Sequence, residues 1–171
     1  GVDGKLTQYD GIAKFSQSFD ERGNVIEESY FGVDGKPAVF SQYGYSKIIF
    51  SYDEHRNMVE RSFFDVDGKH APKKGIFRNV SKEKNYYNEH GNLTEKSFLG
   101  EDGKPVKKHG WLQAAKLTCS YDKNQRLNGA SFYGENGKPV LGGWFKTAKH
   151  TISHDEHGNK VEESFFGVDG K

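Results

Sequence analysis

His150, His154 and His157 are the densest group of metal-binding side chains in the chain, and Asp65-Val66-Asp67-Gly68 reads like the opening of a calcium loop. Structural zinc takes four nitrogen or sulfur ligands, and no fourth ligand stands at a matching spacing. His154 falls in a column otherwise held by Tyr or Phe, and His157 in a turn column shared with His55 and His90. Calcium takes roughly six to eight oxygens in one place, and the equivalents of Asp65 elsewhere in the chain are glycines. Both groups are therefore read as structural, with no metal and no cofactor expected. Ser29, Ser62, Ser97, Ser131 and Ser164 recur, but no His or Asp recurs where it could activate them as nucleophiles. An active site needs one asymmetric constellation, so the expectation is no enzyme and no catalytic residue.

Aromatic residues in the variable linkers offer a different chemistry. Trp111 and Trp144 each follow a glycine, as do Tyr45 and, in the third copy, Ile76. Rings on loops can stack on sugars or enter a partner's pocket, and they can equally cap the ends of hairpins. Tyr45, Trp111 and Trp144 are the candidate ligand or partner contacts. Glu27, Glu60, Glu95 and Glu162 form one column, and Lys14, Lys47, Lys82, Lys116 and Lys149 another. A ladder of ligand contacts is one reading. The preferred one is a cross-strand charge pattern that keeps a sheet in register, which Gly129 in the Glu column suits.

These columns exist because one block is written five times. The repeat cores are 13–37, 46–70, 81–105, 115–139 and 148–171, with the recurring serines 33 to 35 residues apart. A period of that size means an array of units that each lean on their neighbours, so 1–171 is read as a single repeat array. The chain opens and closes on Gly-Val-Asp-Gly-Lys, which gives the expectation of an excerpt from a longer array.

Within a block the period is two. Ala13, Phe15, Gln17 and Phe19 alternate with Lys14, Ser16 and Ser18, the pattern of a half-buried strand. The third copy places Glu83, Lys84 and Asn85 in that strand, which is expected to be the weakest. Asp-Glu-x-Gly-Asn then predicts a three-residue hairpin loop with glycine left-handed. Arg56 and Gln125 stand at that glycine in copies two and four; either they adopt positive φ or their turns differ. A second strand comes next, over 25–31, 58–64, 93–99, 127–133 and 160–166. It ends in adjacent large apolar residues, which favours cover on both faces there or a bulge. Asp-Gly then predicts a tight two-residue turn, and Pro37, Pro105 and Pro139 limit the segment beyond it to a short or edge strand. No segment has helical spacing. The fold class is all-β: a tandem β-hairpin array of ten to fifteen short strands, an antiparallel meander forming an extended, coiled or solenoid-like sheet.

Composition narrows the partners. With 25 basic and 24 acidic residues the net charge is +1, which gives no clustered positive field for nucleic acid. No apolar run approaches the roughly 18 residues of a membrane span, so no membrane insertion is expected. Cys119 is alone, which excludes an internal disulfide framework and leaves the compartment open. A cell-surface or secreted setting is favoured.

Phe-Asp-Glu-Arg-Gly-Asn-Val (19–25), Tyr-Tyr-Asn-Glu-His-Gly-Asn-Leu (86–93) and Ser-Tyr-Asp-Lys-Asn-Gln-Arg-Leu (120–127) resemble the YD repeats of bacterial Rhs-type proteins. Bacterial MORN-like hairpin repeats look similar. The resemblance implies a long sheet of hairpins without catalysis in the repeats; in Rhs-type proteins such a sheet forms a shell around a toxin domain. The period here is longer, and the Asp-Gly-Lys-Pro half lies outside that pattern. The expected function is a non-catalytic β-repeat scaffold or protein-interaction segment of a larger bacterial protein, whose partner is another protein or its own flanking domains. The alternative is a carbohydrate-binding module that holds cell-wall or surface polysaccharide on its linker aromatics.

Overall fold

The computed structural model describes residues 7–70 and 75–171, so the opening pentapeptide lies outside the described residues. Ten strands alternate as five hairpins: β1 (Lys14–Phe19) with β2 (Val25–Phe31), β3 (Lys47–Tyr52) with β4 (Met58–Phe64), β5 (Lys82–Tyr87) with β6 (Leu93–Leu99), β7 (Lys116–Tyr121) with β8 (Leu127–Tyr133), and β9 (Lys149–His154) with β10 (Lys160–Phe166). Their order in the sheet is their order in the chain, which is an antiparallel meander. Among the described residues no helix is long and apolar enough to cross a membrane. The second strands fall where the alternation placed them, and β5 is as long as the other first strands despite its polar sequence.

By compactness the chain forms two units, Gly1–Glu83 with Gly100–Asp102, and Lys84–Leu99 with Gly103–Lys171. In the first, Lys14 pairs with Phe31 and Ser16 with Ser29 inside the hairpin, while Ser29 pairs with Lys47 of the next copy. The second repeats this register: Lys116 pairs with Tyr133, Ser97 with Lys116, and Ser131 with Lys149. A bulge interrupts the hairpin next to its turn, between Ser18 and Phe19 and between Ser120 and Tyr121.

The two large apolar side chains that end each second strand (two rings in four copies, Phe98 and Leu99 in the third) face opposite ways, and each face handles its own differently. Tyr30, Phe63, Phe98 and Phe132 are buried under the linkers. On the other face the strand-opening lysines lie over the second ring: Lys14 is 5.8 Å from the Phe31 centroid, Lys47 5.2 Å from Phe64 and Lys116 5.2 Å from Tyr133. Cation–π attraction and the lysine stem thus cover a ring that would otherwise face water. Both faces are covered, and the bulge sits at the other end of the strand.

At the hairpin turns the Asp holds its own loop. Asp20 Oδ1 accepts the N–H groups of Arg22 and Asn24, and its Oδ2 accepts the Asn24 side-chain amide. Asp53, Asp122 and Asp155 repeat the pattern. Arg56 and Gln125 do adopt positive φ, at 67° and 63°, a backbone state that costs about 1–2 kcal/mol without glycine. Each offsets that cost by reaching the preceding turn. Arg56 Nε donates to Asn24 Oδ1 at 3.0 Å, and Gln125 Oε1 accepts from the side-chain amides of Asn88 and Asn92.

The four turn aspartates lie below the ordinary carboxylate range. The Asn side-chain amide is the main cause at Asp20, Asp53 and Asp155, and the Arg126 backbone N–H at Asp122. A carboxylate with a lowered folded pKa contributes its full stabilisation above its unfolded value and loses it as pH falls through the folded one. The third turn carries Asn88, which cannot titrate. As pH drops from about 6 to about 2, the protection factors of the Asn24, Asn57, Arg126 and Asn159 amides should therefore fall, with Asn92 lagging. NMR-detected exchange, corrected for the intrinsic rate at each pH, reads this directly, and an equal loss of protection at all five amides would refute it.

The second turn corrects the Asp-Gly expectation. Gly32 N–H donates to the Lys36 carbonyl and Gly35 N–H to the Gly32 carbonyl, which encloses three residues. Gly35 has φ +75° while Asp34 is not among the positive-φ residues. A two-residue type I′ turn needs positive φ at both central positions; Val33-Asp34-Gly35 is instead a three-residue loop like the first one. Beyond it, Pro37, His70, Pro105 and Pro139 each form a single bridge to the end of the second strand rather than a new strand.

Candidate functional site

The linkers build the surface on which the sequence placed its contacts. In the first unit Ser41 N–H donates to the Asp10 carbonyl and Ile76 N–H to the Gln42 carbonyl; in the second, Gly143 N–H donates to the Leu112 carbonyl. Within each unit these turns thus rest on the one before them and cover the core face of the sheet. Gly142 and Gly143 show how close the approach is. A Cβ at Gly142 would lie 2.6 Å from the Leu112 carbonyl oxygen, and one at Gly143 2.6 Å from the Phe132 ring. That seating leaves the next residue, Trp144, pointing outward.

Trp111 and Trp144 are brought together. Their rings are nearly parallel, 6° apart in plane and 5.7 Å between centroids, and they are 48% and 78% exposed. Phe145 and Leu141 are exposed beside Trp144 in the chain, and a shallow groove of about 400 Å³ lined by Lys107, Gln113, Glu135, Asn136 and Leu141 lies in the same unit. The sequence reading did not single out Leu141 or Phe145. Their signal would have been a large apolar residue in a linker with no strand opposite to receive it.

Tyr45 is elsewhere, and this corrects its grouping with the tryptophans. It is 6% exposed, packed among Tyr30, Tyr43, Phe63 and Phe77 at 5.4–5.9 Å between centroids. Burial pushes its hydroxyl up to about 12. The reason lies in a backbone column. The residue three before each strand-opening Lys has positive φ in every copy: Gly11, Gly44, Asn79, Gln113 and Lys146. The next residue turns inward, as Tyr45, Val80 and Ala114 do. Gly44 therefore matches Gln113 and Lys146, not Gly110 and Gly143, and the residue at the Trp111 position of the second copy is Gln42.

The polar columns pair with one another across copies. Lys47 Nζ lies 4.0 Å from Glu27, Lys82 Nζ 2.8 Å from Glu60, and Lys116 Nζ 3.3 Å from Glu95. Ser29, Ser97 and Ser164 donate their hydroxyls to the Glu two residues before them. Exposed pairs of this kind are worth about 0–1 kcal/mol each, so their effect is on register. The histidines do not converge. His150 bonds Glu163 and stacks on Phe165, and His157 is exposed beside Glu156. Among the described residues no three metal-ligating side chains come together. Cys119 is half-buried, and burial raises its thiol pKa.

One buried pair escaped the sequence reading. Glu83 lies on the core face, fully buried, with its Oε2 2.8 Å from the Arg61 guanidinium. That guanidinium sits 5.3 Å from the Phe63 centroid and 5.2 Å from that of Phe77. The acidic residue that marked the third copy as divergent is an inward-facing member of its column.

No protein-family model matches the chain, and no curated protein matches it. Among solved structures, the crystal structure of TcdB2-TccC3-TEV matches over 85% of this chain at 12% identity and a TM-score of 0.52. That of TcdB2-TccC3 without its hypervariable C-terminal region matches over 91% at 12% identity, with a TM-score of 0.45. The likeness to the first is one of fold. This chain spans 7% of the length of TcdB2-TccC3-TEV, and its hairpin meander is consistent with a YD-like repeat array.

Proposed function

We propose that this chain is a non-catalytic β-repeat scaffold and protein-interaction segment of a larger bacterial protein. The observation that carries the reading is that the recurring polar side chains serve one another. Lysines bridge to the glutamate of the preceding copy, serines bond the glutamates, and the turn aspartates hold their own loops. What remains for a partner in the second unit is the exposed Trp111–Trp144 pair with Phe145, facing another protein or the flanking parts of its own. A fold shared with a small share of a much longer chain supports a segment that works inside a larger one.

The parallel, exposed rings of Trp111 and Trp144 favour one second reading, a polysaccharide-binding repeat, because flat apolar rings stack on the faces of sugars. An array of bacterial polysaccharides probed with the chain and with its Trp111→Ala/Trp144→Ala double variant separates the two. The scaffold reading expects no binding above background. Binding that disappears in the double variant would replace it with the sugar reading.

A further inference from the structure

We propose that the junction between the fourth and fifth copies binds a short-chain carboxylate, a small molecule whose acid group takes the place of a glutamate that this junction lacks. The site shares no residue with the Trp111–Trp144 surface, so it can fail while the scaffold reading holds.

The first three junctions share one design. Lys47 bridges to Glu27, Lys82 to Glu60 and Lys116 to Glu95. The same glutamates accept the hydroxyls of Ser29, Ser62 and Ser97. One carboxylate thus serves an ammonium on the next strand and a hydroxyl on its own. The fourth junction keeps the ammonium and the hydroxyl, as Lys149 and Ser131, but Gly129 stands in the glutamate column. Ser131 pairs with Lys149 between β8 and β9 as Ser29 pairs with Lys47 between β2 and β3. Strand β9 is paired with β10 on its other side, so the missing carboxylate belongs to the interior of the sheet and not to one of its edges.

Lys149 is exposed and lies over its own Phe166 ring, 5.7 Å from the centroid. Among the described residues no carboxylate bonds its ammonium or the Ser131 hydroxyl. Both side chains line a hollow of about 250 Å³ whose walls include Tyr133, Pro139 and Phe166. An acid group set between Lys149 and Ser131 regains the charge-assisted hydrogen bonds that glutamate supplies at the other junctions. A stem of a few carbons then covers the aromatic and proline walls, which favours an aliphatic acid over a bare inorganic anion. The ammonium sets the sign of the ligand, and the hollow sets its size.

An NMR titration of the full chain with pentanoate at low ionic strength tests the site. Shifts should concentrate on the Ser131, Tyr133 and Lys149 amides and saturate with a Kd on the order of a few millimolar. Pentylammonium, which carries the same stem with the opposite charge, should leave those amides unmoved. Lys149→Gln should weaken pentanoate binding about fivefold, the range of one exposed ion pair. Lys47→Gln, which removes a lysine already bridged to Glu27, should change nothing. Gly129→Glu supplies the carboxylate from the chain itself and should weaken pentanoate on the order of tenfold by occupying the site. The strand accepts that change. Gly129 is not among the positive-φ residues, and the Ser120 hydroxyl, which a Cβ would meet at 2.7 Å, can rotate away. Ser18 and Ser51 stand at the same place beside Glu27 and Glu60. No saturable shift at the three amides would overturn the proposal. So would equal binding of pentylammonium, or an affinity left unchanged by both Lys149→Gln and Gly129→Glu.

Discussion

Phe63→Ala is expected to destabilise the first unit by about 3–5 kcal/mol, while Phe165→Ala, the same change in the same column, costs roughly 1 kcal/mol. The two residues differ in neighbours rather than in chemistry. Phe63 has no exposed surface and touches rings from two linkers, Tyr45 at 5.4 Å and Phe77 at 4.4 Å. Its removal leaves a cavity walled by rings already held from both sides, which cannot collapse. Phe165 is 43% exposed and is flanked by Phe145 and His150, so truncation forfeits less burial and opens no enclosed void. Far-ultraviolet circular dichroism in a urea titration reads both variants on one scale. Equal costs at the two positions would mean that each ring is buried by its own hairpin, not by the linker after it.

That dependence on neighbours explains what the sequence reveals and what it hides. Strand limits are legible because alternation is a local pattern and five copies restate it; Val25–Phe31 and its equivalents could be read directly. The hairpin loops are equally local, since Asp20 and Asn24 hold each other. The linkers are different. Their turns are fixed by resting on the previous linker, and the left-handed column runs through Gly11, Gly44, Asn79, Gln113 and Lys146, of which only two are glycine. A Gly-aromatic match therefore aligned Tyr45 with Trp111 and Trp144, although Gly44 sits three positions further along than Gly110. The Asp-Gly turn misleads for a related reason: the dipeptide suits a two-residue loop, but Gly35 alone takes positive φ and the loop closes one residue wider. Of the candidate site, the tryptophan pair was legible as residue types. Their stacking was not, because it depends on how consecutive linkers register.

Glu83 is the hardest residue to read and leads to the other large effect. Arg61→Met should destabilise the first unit by about 3–5 kcal/mol, because it takes the guanidinium away from a carboxylate whose side chain is only 1% exposed. Glu83→Leu should cost less, since the Arg61 side chain is 26% exposed and can swing its charge to water. Leucine is also the residue that the fourth copy already carries in this column, Leu117. Combining Arg61→Met with Glu83→Leu removes both charges and should return stability to near wild type, because desolvating an ion pair often cancels its attraction. A double-mutant cycle in urea therefore has a clear signature: one large loss, one smaller loss and a double variant better than Arg61→Met alone. If Arg61→Met changed stability by less than about 1 kcal/mol, the carboxylate would be reaching water and the pair would not be part of the core. Three other junctions set Glu28 against Ile48, Lys96 against Leu117 and Ala130 against His150, and none of these three joins opposite charges at this position. In an array whose hairpins are alike, a pairing that parts Arg61 from Glu83 would leave the carboxylate facing a neighbour without that guanidinium, so the pair is expected to favour the observed order of the hairpins.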